Sequence, residues 1–259
     1  MARPRRVSPD EQLTLVEHLD ELRSRIIVVL VVFTIAVGVC FYEADRILQF
    51  LASPLPIPPG QKTYRFLAQS PLDGILTSIS IAVYSALLLT MPLATYQLYA
   101  FVIPAFAEGY HKHIKPLVAM IPALFVCGVV FGWYLVVPPA IGFVVGYNST
   151  SFDYYHLRAG PYVQFVLLTM IAMGIVFEMP AVMLVLARLR IMSSALMRRH
   201  WRISIVVLAV VAMLLPGVDP ISFIVEFIPL LALYGLSYFI VLAVERAQSS
   251  DDPDPEPLT

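Results

Sequence analysis

Charge is what this sequence has little of. Charged residues fill 14% of its 259 positions and hydrophobic ones 59%, whereas a water-soluble globular domain carries about 25% charged residues. A water-soluble fold is excluded on that ground. The formal net charge of −1 gives no field that would hold a polyanion, which excludes a polybasic nucleic-acid binder. Cysteine is scarce too. Cys40 and Cys127 cannot supply a disulfide framework or a four-thiolate metal site, and both sit in apolar runs, where a thiol reads as a small buried hydrophobe. The signatures of several chemistries are missing: no glycine-rich phosphate loop closing on Lys-Ser or Lys-Thr, no His-Glu-x-x-His, no Gly-x-Ser-x-Gly. His111 and His113, two positions apart, point to different helix faces and make a poor metal pair. ATP chemistry and zinc proteolysis are unsupported. The chain reads as a non-enzyme with no metal and no cofactor, drawing energy from a membrane gradient or from a partner.

What is present is a set of long stretches without a single charge: 26–42, 74–107, 116–152, 159–177, 203–218 and 227–244. A spanning helix needs about 20 apolar residues at 1.5 Å each, and backbone polar groups in lipid must bond within the segment, so helices are the default. The second and third stretches hold a helix plus a loop, and the fourth continues past Glu178. Six helices are predicted, at 24–42, 74–98, 114–137, 161–187, 203–215 and 220–244. The fifth stops at Pro216-Gly217. It offers about 20 Å of helix to a core of about 30 Å, so either its flanks extend it or the bilayer thins beside it. Thirteen of the 17 lysines and arginines fall before the first helix or in its first turn, between the second and third or in the first turn of the third, between the fourth and fifth, and after the sixth. The positive-inside bias puts those segments, and both termini, in the cytoplasm. The opposite loops, 43–73 and 138–160, are rich in proline and aromatics and predict rigid caps. The leading region carries Asp10, Glu11, Glu17, Asp20 and Glu21 and no small-x-small site follows the apolar run, so no cleaved signal peptide is expected. Three parts follow: a flexible basic start at 1–12, a six-helix membrane domain at 13–245, and an acidic, proline-bearing tail at 246–259 expected to be disordered.

Chemistry concentrates at few positions. Leu15, Leu19, Leu22 and Ile26 share one helical face, with Glu17, Asp20 and Glu21 on another. This predicts a short amphipathic helix lying on the cytoplasmic surface and presenting a carboxylate patch before the chain turns into the first span. The same spacing also lets Glu21 pair with Arg25 and Asp20 with Arg23 on the helix itself. Glu178 lies deep in the fourth helix, where a carboxylate costs about 2.5 to 3.5 kcal/mol to insert. Two readings stand level: a polar group facing a cavity or partner helix, or a carboxyl bonding the backbone that Pro180 frees. Glu226, near the start of the sixth helix, is close enough to an interface to snorkel. Asp219 before Pro220 has the pattern of an N-cap with proline at the first helical position. Pro92, Pro122, Pro180 and Pro229 are expected to kink their helices into a bent, concave wall. Gly128 with Gly132, and Gly142 with Gly146, have the spacing of close helix approach.

Five motifs in order carry a resemblance. His18-Leu-Asp-Glu-Leu-Arg-Ser-Arg25, Ser53-Pro54 with Ser70-Pro71, Tyr96-Gln-Leu-Tyr-Ala-Phe-Val-Ile-Pro104, Phe177-Glu-Met-Pro180 and Asp219-Pro-Ile-Ser222 resemble the signature of the TatC family, the multispanning subunit of the twin-arginine protein translocase. The resemblance covers about residues 12–245. It implies an all-α polytopic membrane protein of six helices in a cup-shaped arrangement, with both ends inside and short fifth and sixth helices. It implies residence in the bacterial cell membrane, with proton-motive-force-driven export of folded proteins whose signal peptides carry paired arginines. Glu21 would be the principal carboxylate for that pair, with Glu17, Asp20, Arg23 and Phe101 around it. Where the family carries a second acid stands Tyr110, so Glu108, two residues earlier, would take that role. Glu178 and Pro180 would meet the single-span TatA and TatB partners, and Glu226 would substitute for the usual acid of the sixth helix, replaced here by Gly235. Phe223 stands where glutamine is common. Pro54, Pro71 and Asp219 would shape the external loops, and copies of the chain would assemble within the complex. From the intramembrane carboxylate alone, the alternative is a proton-coupled small-solute transporter using Glu178 as carrier, although no inverted repeat relates the two halves.

Overall fold

The computed structural model describes residues 15–55, 64–106, 111–151, 157–188, 191–215 and 220–250. Glu108, Tyr110, Asp219, the basic start and the tail from 251 lie outside the described residues, as does the side chain of Glu17. Helices make up almost everything described: α1 (Leu15–Tyr42), α2 (Ala44–Leu51), α3 (Asp73–Phe106), α4 (His111–Phe131), a π-helical turn at Gly132–Val136, α5 (Val137–Ser151), α6 (Ala159–Phe177), α7 (Met179–Arg188), α8 (Ser194–Arg199), α9 (Trp201–Leu214) and α10 (Pro220–Ser250). Five stretches are long and apolar enough to cross a membrane: Leu19–Tyr42, Asp73–Phe101, Met120–Gly146, Ala159–Arg188 and Pro220–Arg246. The 14-residue α9 is the short one, about 21 Å long. The protein is therefore a multi-pass helical membrane protein.

Three boundaries differ from the sequence reading. No turn separates an amphipathic surface helix from the first span. α1 runs unbroken through both, because no proline or glycine intervenes and Ser24 merely donates back to the Glu21 carbonyl at 2.8 Å. The third span does not stop at 137 but continues to Ser151 through Pro138 and Pro139. The wider i→i+5 turn just before the prolines resets the hydrogen-bond ladder, so their missing N–H groups and ring atoms meet less obstruction. The sixth helix, implied to be short, is 31 residues long and takes in the first residues of the predicted tail.

The helices pack around α3, α4 and α6, each of which touches the other two. α1 packs on α3, α3 on α4 and α6, α4 on α6, α7 on α10, and α10 on α9. One face of α1 and of α9 is left to lipid: Leu30, Ile35 and Val39 on the first, Val206, Val210 and Met213 on the second, are exposed. Cys127 is exposed as well, unlike Cys40, which is buried against Ala82 and Ala86.

The main core gathers where α3 and α6 begin. Leu51, Leu55, Ile81, Trp133, Val137 and Tyr162 are buried there together. α2 supplies Leu51, and its Phe50 stacks on Trp133 at 4.6 Å. A turn of capping-box type leads into α3: the Ser70 hydroxyl accepts from Leu72 N, the Asp73 carboxylate accepts from Gln69 N and Ser70 N, and Pro71 lies within the turn. Leu67 N donates to the Leu157 carbonyl at 2.9 Å, closing an isolated bridge between residues 67 and 158. Tyr162 donates its buried hydroxyl to the Leu51 carbonyl at 2.6 Å. These bonds tie Leu51 and Leu67 to 157–162, while most of the second expected cap, 138–151, is helix α5. Tyr162→Phe strands a buried carbonyl, which costs about 1 to 3 kcal/mol. A melting midpoint several degrees below wild type in detergent is the expected result, and an unchanged midpoint contradicts it.

Candidate functional site

The amino-terminal carboxylates sit where α1 meets the far end of α3. Asp20 and Glu21 occupy the second turn of α1, Asp20 exposed and Glu21 half-exposed. The spacing of four that allowed an intrahelical pair is used. Arg25 donates through Nε (3.0 Å) and Nη2 to the Glu21 carboxylate and through Nη1 (2.8 Å) to the Gln97 side-chain oxygen of α3. Asp20 and Arg23 do not pair with each other, and both are exposed. Phe101, half-buried, lies one helical turn beyond Gln97 on the same face of α3. The structure thus brings together Glu21, Arg25 and Gln97, with Asp20 next to Glu21 on α1 and Phe101 one turn from Gln97 on α3. Gln97 and Arg25 were not singled out as site residues from the sequence, although Gln97 falls inside the Tyr96–Pro104 motif and Arg25 four residues after Glu21.

The arrangement is a half-exposed carboxylate with guanidinium geometry already satisfied beside it. An ion pair this open contributes at most about 1 kcal/mol, so another guanidinium can displace it.

Deeper in the protein, α6 ends at Phe177 and Glu178 forms the turn into α7. Its N–H bonds the Ile175 carbonyl at 3.1 Å in a tightened three-residue step, and Pro180 then supplies no donor for the carbonyl four residues back. The Glu178 side chain is only 6% exposed. Thr95 and Tyr99 of α3 lie beside it. Its Oε1 finds no hydrogen-bond partner among the described residues. Pro180 and Ala181 are buried next to it.

Glu226 does not snorkel: it is fully buried on α10. The helix that carries it packs on α7, α9, α5 and the π-helical turn. Gly235 has open space around it, and Phe223 stacks on Phe227 at 5.5 Å. Pro54 is half-buried in the turn after α2, and Pro71 is exposed at the start of α3. Glu245, which no motif contains, accepts from Ser194 N at 2.8 Å and from the Ser194 hydroxyl, while Tyr234 donates to the Met197 carbonyl at 3.1 Å. These bonds fasten α8, with Arg198 and Arg199, to the end of α10.

Residues 17–229 match the family described as Sec-independent protein translocase protein (TatC). The chain belongs to the TatC family. It is 33% identical to the Sec-independent protein translocase protein TatC of Synechocystis over 83% of each chain. The TatC of Helicobacter pylori strain J99 is 28% identical, across 92% of this chain and 93% of that one. A crystal structure of a twin-arginine translocase receptor, TatC, superposes with a TM-score of 0.74 at 29% identity, covering 89% of this chain and all of that chain. A translocase family accounts for the absence of enzymatic signatures.

Proposed function

We propose that this TatC-family protein is the receptor for signal peptides with paired arginines, and that Glu21 and Asp20 are the carboxylates that hold the pair. The observation that carries this reading is the bond already made there. Glu21 accepts two donors of one guanidinium, from Arg25, in a half-exposed position that a peptide can reach. A planar guanidinium presents two parallel donors to a carboxylate, which an ammonium does not, so the site discriminates arginine from lysine. Gln97 bonds the same guanidinium, and Phe101, Glu17, Arg23, Glu108 and Tyr110 are the further residues assigned to the peptide in this reading.

In this reading both termini are cytoplasmic and the membrane is the bacterial cell membrane, as the lysine and arginine distribution favours. Export of folded cargo runs on the proton motive force. Glu178, with an unpaired carboxyl oxygen at a proline-broken turn, meets the single-span TatA- and TatB-type subunits. The 14-residue α9 suits a locally thinned bilayer in which short partner helices fit, and several copies of the chain assemble in the complex.

The test is binding of a labelled signal peptide to the full chain in liposomes, with Arg-Arg compared against Lys-Lys. Loss of a forked contact predicts at least tenfold weaker binding of the Lys-Lys peptide. Equal binding of the two overturns the assignment.

A further inference from the structure

The face opposite the amino terminus carries a cleft of about 390 Å³ that the reading above does not use. It opens between α2, the first turns of α3 and the start of α6. Its size falls in the range of clefts that hold small molecules. The floor is apolar, with Leu48, Phe66 and Ile81. The rim carries charges of both signs. Arg158 is half-exposed, and its one ion pair among the described residues is an extended contact of Nη2 with Asp73 Oδ1 at 3.4 Å, which leaves most of its five donors unengaged. Asp45 is exposed in the first turn of α2 and makes no ion pair or hydrogen bond among the described residues. Asp73 is occupied as the cap of α3.

The position of this cleft matters as much as its chemistry. α3 and α6 both begin their apolar spans here, at Asp73 and Ala159. The polar rim therefore lies at headgroup depth, and the cleft continues at Leu76 onto the exposed apolar row Leu72, Ile75 and Ile79. A ligand complementary to all of this has an anion for the guanidinium, a cation for the carboxylate and a hydrocarbon part that follows the row into the bilayer. We infer that the cleft is a binding site for one zwitterionic phospholipid of the ethanolamine class, its phosphate on Arg158, its ammonium on Asp45 and an acyl chain along Leu76 and Ile79. A phosphate accepts the guanidinium fork. An anionic glycerol lipid also satisfies Arg158 but offers Asp45 only neutral hydroxyls where the ethanolamine lipid offers a cation.

The experiment uses the purified full chain, delipidated in detergent, with bound lipid counted by native mass spectrometry. A photoactivatable phosphatidylethanolamine then maps the contact to peptides. Dioleoyl phosphatidylethanolamine is expected to bind at least fivefold more tightly than dioleoyl phosphatidylglycerol, and to label peptides covering 44–51 and 157–166. Asp45→Asn and Arg158→Gln each cut affinity at least fivefold and remove one bound lipid. Asp45 is a surface position, so Asp45→Asn keeps the test decisive if Arg158→Gln fails to fold. Equal affinity for the two lipids overturns the proposal, as does labelling unchanged in Asp45→Asn. Glycerophosphoethanolamine, which has no acyl chains, is expected to compete poorly. Competition as strong as the intact lipid makes the ligand a free solute and overturns the lipid assignment.

Discussion

Gly128→Leu is expected to abolish recovery of folded protein. A Cβ built on Gly128 falls 2.5 Å from the Met173 carbonyl oxygen, 2.8 Å from Gly174 Cα and 2.8 Å from Phe177 Cβ. Two of those atoms belong to the α6 backbone, so no rotamer change relieves the overlap and the helices have to separate. The seam has no slack on the other side either. A Cβ on Gly174 lies 2.6 Å from the Phe125 ring, which is itself fully buried, and one on Gly132 lies 3.2 Å from Met173 Cβ. Small residues let membrane helices approach until their backbones touch, and dispersion across such a seam replaces the hydrophobic drive that lipid does not supply. Overpacking a core by a methylene or two costs about 1 to 3 kcal/mol. That is the expectation for Gly128→Ala, and the leucine variant exceeds it. Gly142→Ala and Gly146→Ala serve as controls, since nothing lies within 4 Å of a Cβ at either. They are expected to melt at or slightly above wild type, because alanine favours helix over glycine by about 0.8 to 1 kcal/mol. Monodisperse yield and melting midpoint in detergent decide the matter, and a wild-type midpoint for Gly128→Leu contradicts the seam.

The contrast between the two glycine pairs shows where the sequence was readable and where it was not. Both pairs have the same spacing, yet only Gly128 and Gly132 face another helix. Spacing states that a face is smooth and says nothing of what stands opposite. Gly174, the partner on α6, is a lone glycine without a period and carried no signal. The five long spans were legible because a charge-free run of about 20 residues leaves the chain one stable arrangement in lipid, and α9 was legible as the short one. α2 was not. Its eight residues include Asp45 and Arg46, which break the apolar run, and its purpose emerges only from Leu51 and Phe50 packing on Tyr162 and Trp133, far away in sequence. Glu226 was misjudged for a related reason. Distance along a helix from its end measures depth, whereas burial depends on which neighbours flank that turn. At the candidate site, Glu21 and Arg25 were legible as a spacing, but Gln97 joins them through a contact 72 residues long.

That three-residue arrangement leads to a prediction in which two substitutions one helical turn apart act with opposite signs. Glu21→Gln removes the charge that accepts a guanidinium fork while keeping the size of the side chain. A charge-assisted bond of this kind contributes about 1.5 to 3 kcal/mol, so an Arg-Arg signal peptide is expected to bind roughly tenfold to a hundredfold more weakly. Glu21→Lys adds repulsion and is expected to abolish crosslinking. Arg25→Gln removes the internal competitor. Exposed ion pairs contribute up to about 1 kcal/mol, so freeing Glu21 from the Arg25 contact is expected to raise peptide affinity by about fivefold at most. The gain shrinks as salt screens the half-exposed carboxylate. Gln97→Ala, which releases only the Nη1 contact, leaves Arg25 on Glu21 and is expected to change affinity little. The combination Glu21→Gln with Arg25→Gln separates competition from mere positioning. If Arg25 acts by occupying the carboxylate, its removal has no benefit once Glu21 is neutral, and the double variant binds like Glu21→Gln alone. If Arg25 instead orients α1 against α3, Arg25→Gln weakens binding in both backgrounds. That outcome removes displacement from the account and leaves Glu21 as a carboxylate held in place by its neighbour.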